Sequence, residues 1–439
     1  MGTSTLLVLD QKLLQTIGDY KSMAVTTAIA ANTSLISTTL QQYRSTADYF
    51  NGYWAYIEDY ANIGVSRYIS DDDGTSTLTV LGANLTTDNA DKATVRLSKH
   101  AWDDRVLAIN QALPEIYPSV HIPIDNTNLI TGCILPDSSF EEWSSATALS
   151  WYTASNITLA RTNTAGVIRG IKGTYSAKCS ATAGNGYIYL SSNSYPKLLD
   201  LAGQTVDFRC WAYPEVANDA SIEIYTVKAD GTAQTLTSTT TNPATKWTLI
   251  ELNDQAINED IVQIDIRFKV TTNAKYVYFD SAYLQGITLN DYLLPSGLES
   301  GGLNQVYIQS SAIRDYAYDD INTYVWTPCY DWQVISDGSN SYLKFDHVYP
   351  DGYRIRLIGS KPLEALTTYS DTISTSDTRY LQLVSNYAAY RLYSNAASSA
   401  TGSDRDRLNT EAGRYLYNYQ RLSHLKMAQP SIQLRVPRY

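Results

Sequence analysis

Helical periodicity at both ends of the chain, with strand-like sequence between, constrains the fold more than any other feature. Trp102, Val106, Ile109 and Leu113 fall on one helical face after Ser98, a suitable N-cap, until Pro114 and Pro118 disturb the pattern. Near the other end, Leu381, Val384, Ala388 and Leu392 share a face within residues 376–394, and Leu408, Ala412, Tyr415, Tyr419 and Leu422 share one within 403–427. Ser403 with Asp406 gives a loose capping box, and Pro430 stops the second helix. Residues 395–402 are few enough to make these two helices antiparallel neighbours. The helix near 101–113 can join them in one core only if the β-rich residues 121–375 leave a common base and return to it. Insertion is the simplest such topology.

A chain of 439 residues exceeds the size at which one hydrophobic core stops growing, so about two to four domains are expected. Residues 1–20 predict an amphipathic helix with Leu6, Leu9, Leu13 and Ile17 on one face, ended by Gly18 and Asp19. Residues 21–97 read as a small β-barrel or sandwich, with short strand-like runs separated by turn signals at Asn51-Gly52, Asp73-Gly74 and Gly82 to Asn84. A core helix over 98–120 follows, and then a long β-rich insertion over 121–290. Residues 291–302, rich in Gly and Ser, read as a linker, 303–375 as a further antiparallel β-domain, 376–429 as the helix pair and 430–439 as an extended tail. The fold class expected is multidomain, β-rich α+β.

Charge and composition narrow the chemistry. A formal net charge of -11 argues against a broad nucleic-acid-binding face, because neutralising phosphates takes a surplus of Lys and Arg. Only 18% of residues are charged, so neutral polar groups must cover much of the surface; the 36 Tyr against 6 Phe point the same way, since a phenol suits half-buried strands, wet interfaces and sugar stacking alike. Cys133, Cys179, Cys210 and Cys329 form no CxxC pair and no ligand spacing with His100, His121, His347 and His424, so they read as core residues of a protein made in a reducing host cytoplasm. The apolar run Leu6 to Leu9 lacks a basic flank and is broken by Asp10 to Lys12, which does not suit a signal peptide. No stretch approaches the length of a membrane-spanning helix.

Catalytic motifs are missing from the sequence: there is no HExxH, GxSxG, phosphate-binding loop or dinucleotide fingerprint. Carboxylate doublets occur at Asp103-Asp104, Glu141-Glu142 and Asp319-Asp320, but neighbours on a strand point to opposite faces and make no facing pair. No catalytic or cofactor-binding residue is therefore assigned.

The insertion carries an ordered series of segments: Asn128-Leu-Ile-Thr, Pro136-Asp-Ser-Ser-Phe-Glu-Glu-Trp143, Gly173-Thr-Tyr-Ser-Ala-Lys178, Leu201-Ala-Gly-Gln-Thr-Val-Asp-Phe-Arg-Cys-Trp-Ala-Tyr213 and Val277-Tyr-Phe-Asp-Ser-Ala-Tyr-Leu284. The series resembles the carbohydrate-binding-module jelly rolls, whose first segment carries Ser-Phe-Glu and whose last strand carries Asp before an apolar run. The resemblance implies a jelly-roll β-sandwich over 121–290 and a structural calcium held by Glu141 and Asp280. Where the family often has two Asp at the close, this chain has Asp280-Ser281. Glycan binding is implied too, although such folds also serve as plain decoration.

The outer segments carry a second resemblance. Ile17-Gly-Asp-Tyr20, Asp48-Tyr-Phe-Asn-Gly-Tyr-Trp54, Arg67-Tyr-Ile-Ser70 and Ala108-Ile-Asn-Gln-Ala-Leu113, with Tyr353-Arg-Ile-Arg-Leu357, Pro362-Leu363, Asp371 and the closing helices, resemble tailed-phage head-to-tail adaptors. That resemblance implies a virion protein at the head-to-tail junction, forming a ring of copies of itself, a dodecamer, between the portal and the tail or neck proteins. Arg407, Arg414 and Arg421 recur every seven residues and so lie near one face of the last helix, either solvated with Glu411 or facing an acidic neighbouring subunit or DNA in the ring lumen. Ile432, Leu434 and Val436 alternate with polar residues including Arg435, with Arg438 beyond them, a pattern suited to adding a strand to a portal sheet edge. The alternatives are a fibre-associated or decoration protein that binds glycan, and an enzyme that degrades polysaccharide.

Overall fold

The computed structural model describes residues 3–424 except 31–32, 44–45, 89–92, 170–172, 239–240, 299–301, 310–324 and 374–376. The tail residues Ile432, Leu434, Arg435, Val436 and Arg438 lie outside the described residues. The chain forms two compact units: residues 1–122 with 362–439 make one, and Pro123–Lys361 make the other. Residues 123–361 thus interrupt the first unit, a shorter excursion than the 121–375 expected from the helices.

The first unit has a helical and a β part. Helix α1 (Leu6–Ile17) is capped by the Thr5 hydroxyl and ended by Gly18 at φ 76, a left-handed cap that favours glycine. Helices α2 (Trp102–Glu115), α3 (Thr378–Ser399) and α4 (Gly402–His424) follow. Leu6, Leu9 and Leu13 of α1 share one core with Ile109 and Leu113 of α2 and Val384 and Leu392 of α3. The N-terminal helix therefore belongs to the base as a fourth member, where a separate segment was expected. Tyr415 of α4 stacks on Tyr393 of α3 at 5.5 Å, which holds the last helix to the third.

Six antiparallel strands, in the order Lys21–Ala24, Thr94–Ser98, Trp54–Ile57, Ser66–Asp72, Thr77–Val80 and Ser34–Ile36, form the β part. A buried ion network fastens it to the helices. Asp10 of α1 accepts from Arg96 of the sheet at 2.6 Å and from Arg105 of α2 at 2.5 Å, and Arg96 also pairs with Glu58. Asp10, Arg96 and Arg105 are all at most 2% exposed, so each charge depends on its partners.

The second unit is built on a β-sandwich of ten strands: β1 (Thr153–Ser155), β2 (Ile157–Thr162), β3 (Ser176–Ala181), β4 (Gly186–Ser191), β5 (Thr205–Pro214), β6 (Ala220–Lys228), β7 (Ala233–Thr237), β8 (Thr248–Ala256), β9 (Ile261–Val270) and β10 (Tyr276–Gln285). The front sheet runs β1-β4-β9-β6-β7 and the back sheet β2-β3-β10-β5-β8. Alternation explains both: Ile264, Ile266 and Phe268 of β9 and Val277 and Phe279 of β10 are fully buried between the sheets, while their neighbours point out.

The segment 291–302 is not a linker. It contains a strand, Asp291–Leu293, paired with Ser341–Phe345, and Leu298 is fully buried. Gly297 there sits at φ +87 with Lys361 close to where a Cβ would lie, so its glycine answers a backbone need. The later β-strands share one continuous core with the sandwich, including Leu343, Phe345, Ile355 and Leu357, as far as Lys361; residues from Pro362 return to the first unit.

Candidate functional site

Register gathers aromatic and charged side chains on the outer face of the front sheet. Glu223 of β6 lies opposite Arg267 of β9, which lies opposite Tyr189 of β4; one pair along, Tyr225 faces Asp265, and on the other side Tyr187 faces Lys269. The Arg267 guanidinium sits 3.9 Å from the Tyr225 ring and 4.8 Å from that of Tyr187, so two phenols flank one cation. Its terminal nitrogen donates to Asp265 at 3.0 Å, and Gln263 donates to both oxygens of the same carboxylate. Lys269 donates to Glu223 at 2.8 Å. Glu223 and Asp265 are 5% and 3% exposed, so both carboxylates are fixed in the sheet surface, and Arg267 Nε is buried with no partner among the described residues.

Chemically, this face offers flat π-surfaces beside oriented donors and acceptors whose charges are mutually compensated. Such a surface suits an uncharged polyhydroxylated ring, whose C–H face stacks on phenol and whose hydroxyls meet the fixed polar groups. The back face differs. Its rings, Tyr276, Tyr278, Tyr213 and Trp247, meet one another edge-to-face at 5.3, 5.9 and 5.7 Å, with the Lys178 ammonium 4.4 Å from the Tyr276 ring.

None of the front-face residues was singled out from sequence. Their signal is the alternation in Ile264-Asp-Ile-Arg-Phe-Lys-Val270 and Ile222-Glu-Ile-Tyr225, which tells which side chains leave the core but not which strands become neighbours.

The two carboxylates assigned to calcium are brought together. Phe140, at φ 53, drives its ring into the core and turns Glu141 outward. Glu141 Oε1 accepts from the backbone N–H of Thr174 at 2.8 Å and Tyr175 at 3.0 Å; Asp280, fully buried, accepts from the Arg169 N–H at 2.6 Å. Burial pushes the Glu141 carboxyl up to about 8, with the charges of Asp280 and Asp137 adding to the shift. Burial also raises Asp137 to about 6 against the backbone N–H groups it accepts, those of Glu141 and Glu142 among them. A hard cation would relieve this crowding with oxygen ligands, which fits calcium. Among the described residues no group of three or more His, Cys, Asp or Glu is placed to hold a metal, so backbone oxygens and water would complete the shell. Glu142 turns away and accepts from the Trp151 indole N–H and the Ser296 backbone N–H.

The arginines of α4 are surface groups. Arg407 and Arg414 are 72% and 59% exposed and pair with Asp404 and Glu411 one turn back on their own helix. Arg414 also donates to the Tyr415 hydroxyl at 2.7 Å. Such pairs add little to stability. No described helix is long and apolar enough to cross a membrane.

Solved structures similar to this chain include the xylan-binding CBM22-1 domain of Paenibacillus barcinonensis Xyn10C, at 15% identity, covering 37% of this chain and 95% of that one with a TM-score of 0.28. Another is TmCBM61 in complex with β-1,4-galactotriose, at 14% identity, 35% and 99% coverage and a TM-score of 0.24. A third is the enzymatically active domain of bacteriophage CBA120 tailspike protein 4, at 14% identity, 36% and 22% coverage and a TM-score of 0.26. The sequence matches no protein-family model and no curated protein.

Proposed function

We propose that this is a non-catalytic structural protein that displays a glycan-binding β-sandwich on a helical base. The observation that carries the reading is the front face, where Tyr187 and Tyr225 flank an Arg267 already paired with Asp265. Compensated charge there favours a neutral polysaccharide over a uronate. The calcium held by Glu141 and Asp280 would act as a staple: it would join the segment after Phe140 to the last strand β10 and bind no sugar itself. Affinity electrophoresis through gels containing xylan, β-1,4-galactan or polygalacturonate tests the reading. Retardation is expected in at least one neutral gel and is expected to disappear in Arg267→Ala; free migration in every gel contradicts it.

The base fits an adaptor ring joining portal to tail in a virion. What supports that reading is a base closed by both ends of the chain, with α4 presenting an exposed face that carries Arg407, Arg414 and Arg421. The tail 431–439 would add a strand to the portal, and DNA would meet the ring only locally, in its lumen. Negative-stain images of the protein mixed with its portal are expected to contain coaxially stacked rings; isolated monomers or elongated trimers contradict this reading while leaving glycan binding untouched.

A further inference from the structure

Outside the sandwich, the second unit contains a cavity of about 260 Å³ between strands Leu303–Gln309 and Trp326–Cys329 and the turn that holds Tyr349, Pro350 and Tyr353. Its walls are apolar rings and side chains: Tyr349, Tyr353, Pro328, Pro350 and Ile308. Tyr349 is a rigid wall, because Phe345 packs on it edge-to-face at 5.0 Å and the His347 ring lies 4.3 Å away. Its hydroxyl is joined to Cys329 Sγ at 3.2 Å, so these two polar atoms satisfy each other. Among the described residues no Asp, Glu, Lys or Arg lines the space.

One polar group on the wall has capacity to spare. Gln309 is 3% exposed; its Oε1 accepts from the Arg354 N–H at 3.3 Å, and its Nε2 has no hydrogen-bond partner among the described residues. This amide belongs to a cavity whose described walls are otherwise apolar and uncharged, and its N–H asks for a single acceptor on its ligand. A sugar fits poorly here, since burying several hydroxyls against so few partners is costly. At about 260 Å³ the space falls just short of the roughly 300 Å³ lower limit for drug-sized ligand pockets, which leaves room for about one ring.

We propose that this cavity binds one uncharged aromatic ring bearing a hydrogen-bond acceptor, a phenol-like group, either as a free molecule or as the side chain of a polypeptide. The ring packs between the tyrosines and prolines, and its oxygen accepts from Gln309 Nε2. The site is separate from the glycan face and does not depend on it.

Fluorine NMR titration of the whole protein with 4-fluorophenol tests this. The expected result is saturable broadening with a dissociation constant on the order of 1 mM, as befits so few atoms. Thr327→Trp, which puts an indole at an exposed lining position, is expected to abolish binding without lowering the thermal midpoint, and Gln309→Leu to weaken it roughly tenfold. Competition by N-acetyltyrosinamide as strong as by phenol assigns the ring to a polypeptide; competition by phenol alone assigns it to a free aromatic. Absence of saturable broadening, unchanged binding in a folded Thr327→Trp, or displacement of the probe by xylose would each overturn the proposal.

Discussion

At the scale of single residues, two buried carboxylates do opposite work. Asp10 compensates Arg96 and Arg105 in a site with almost no solvent, so Asp10→Asn leaves buried cations short of a counter-charge. The expected cost is about 3–5 kcal/mol, measured by urea denaturation, and a loss below 1 kcal/mol would mean that water reaches the network. Glu141 is the reverse case, held above its ordinary range by burial and by the charges of Asp280 and Asp137. Because its folded value is raised, the folded state keeps a proton that the unfolded chain has released, so the associated stability is complete below about pH 4.5 and lost by about pH 8. Asp137 contributes in the same sense only as far as about pH 6. In chelator the thermal midpoint is therefore expected to fall between pH 6 and pH 8, and Glu141→Gln to flatten that interval. Added calcium should restore the midpoint at pH 8 in the wild type alone. Glu141 and Asp280 were named only through what the jelly-roll resemblance implies, whereas nothing pointed to the front-face tyrosines: alternation marks Tyr225 as outward but is silent on its lying next to Arg267 across a strand pair.

At the scale of elements, the helices were the most legible part, because a 3.6-residue apolar pattern is local. Helix α2 begins at Trp102, next to the expected 101, but its N-cap is Ala101 and not Ser98, because Ser98 ends a strand; α3 runs on to Ser399 where 394 was expected, and α4 is followed to His424 where 427 was. The segment 291–302 was misread for a physical reason: its Gly, Ser and Pro content signals a break in local structure, while the pairing of Asp291–Leu293 depends on a strand fifty residues on, at Ser341–Phe345, and Leu298 is buried beside the still more distant Gly359. Helix α1 was placed apart because nothing local links it to helices at the far end of the chain. The α4 arginines make a prediction at this scale. If that face contacts an acidic neighbouring subunit, replacing Arg407, Arg414 and Arg421 together with Glu should abolish rings in negative stain while leaving helix content unchanged by circular dichroism; intact rings would assign the stripe to solvent.

At the scale of the whole molecule, insertion lets one chain carry two compact units. Strand Ile122–Asn126, where the second unit begins, neighbours strand Ile355–Lys361, where it ends, in a single sheet. Entry and exit are thus adjacent, and the unit has its own continuous core. Residues 123–361 are expected to fold when excised and to melt at a midpoint that reappears as one of two transitions in the intact protein; an excised fragment without a cooperative transition would show that the unit depends on its base. The central claim, that the front face of the sandwich binds a neutral glycan, is tested most directly by isothermal titration with the polysaccharide that retards the protein. Tyr225→Ala is expected to weaken binding at least tenfold, while Tyr278→Ala, on the opposite sheet face, leaves it unchanged. Equal affinities for wild type and Tyr225→Ala, or loss of binding in Tyr278→Ala alone, would contradict it.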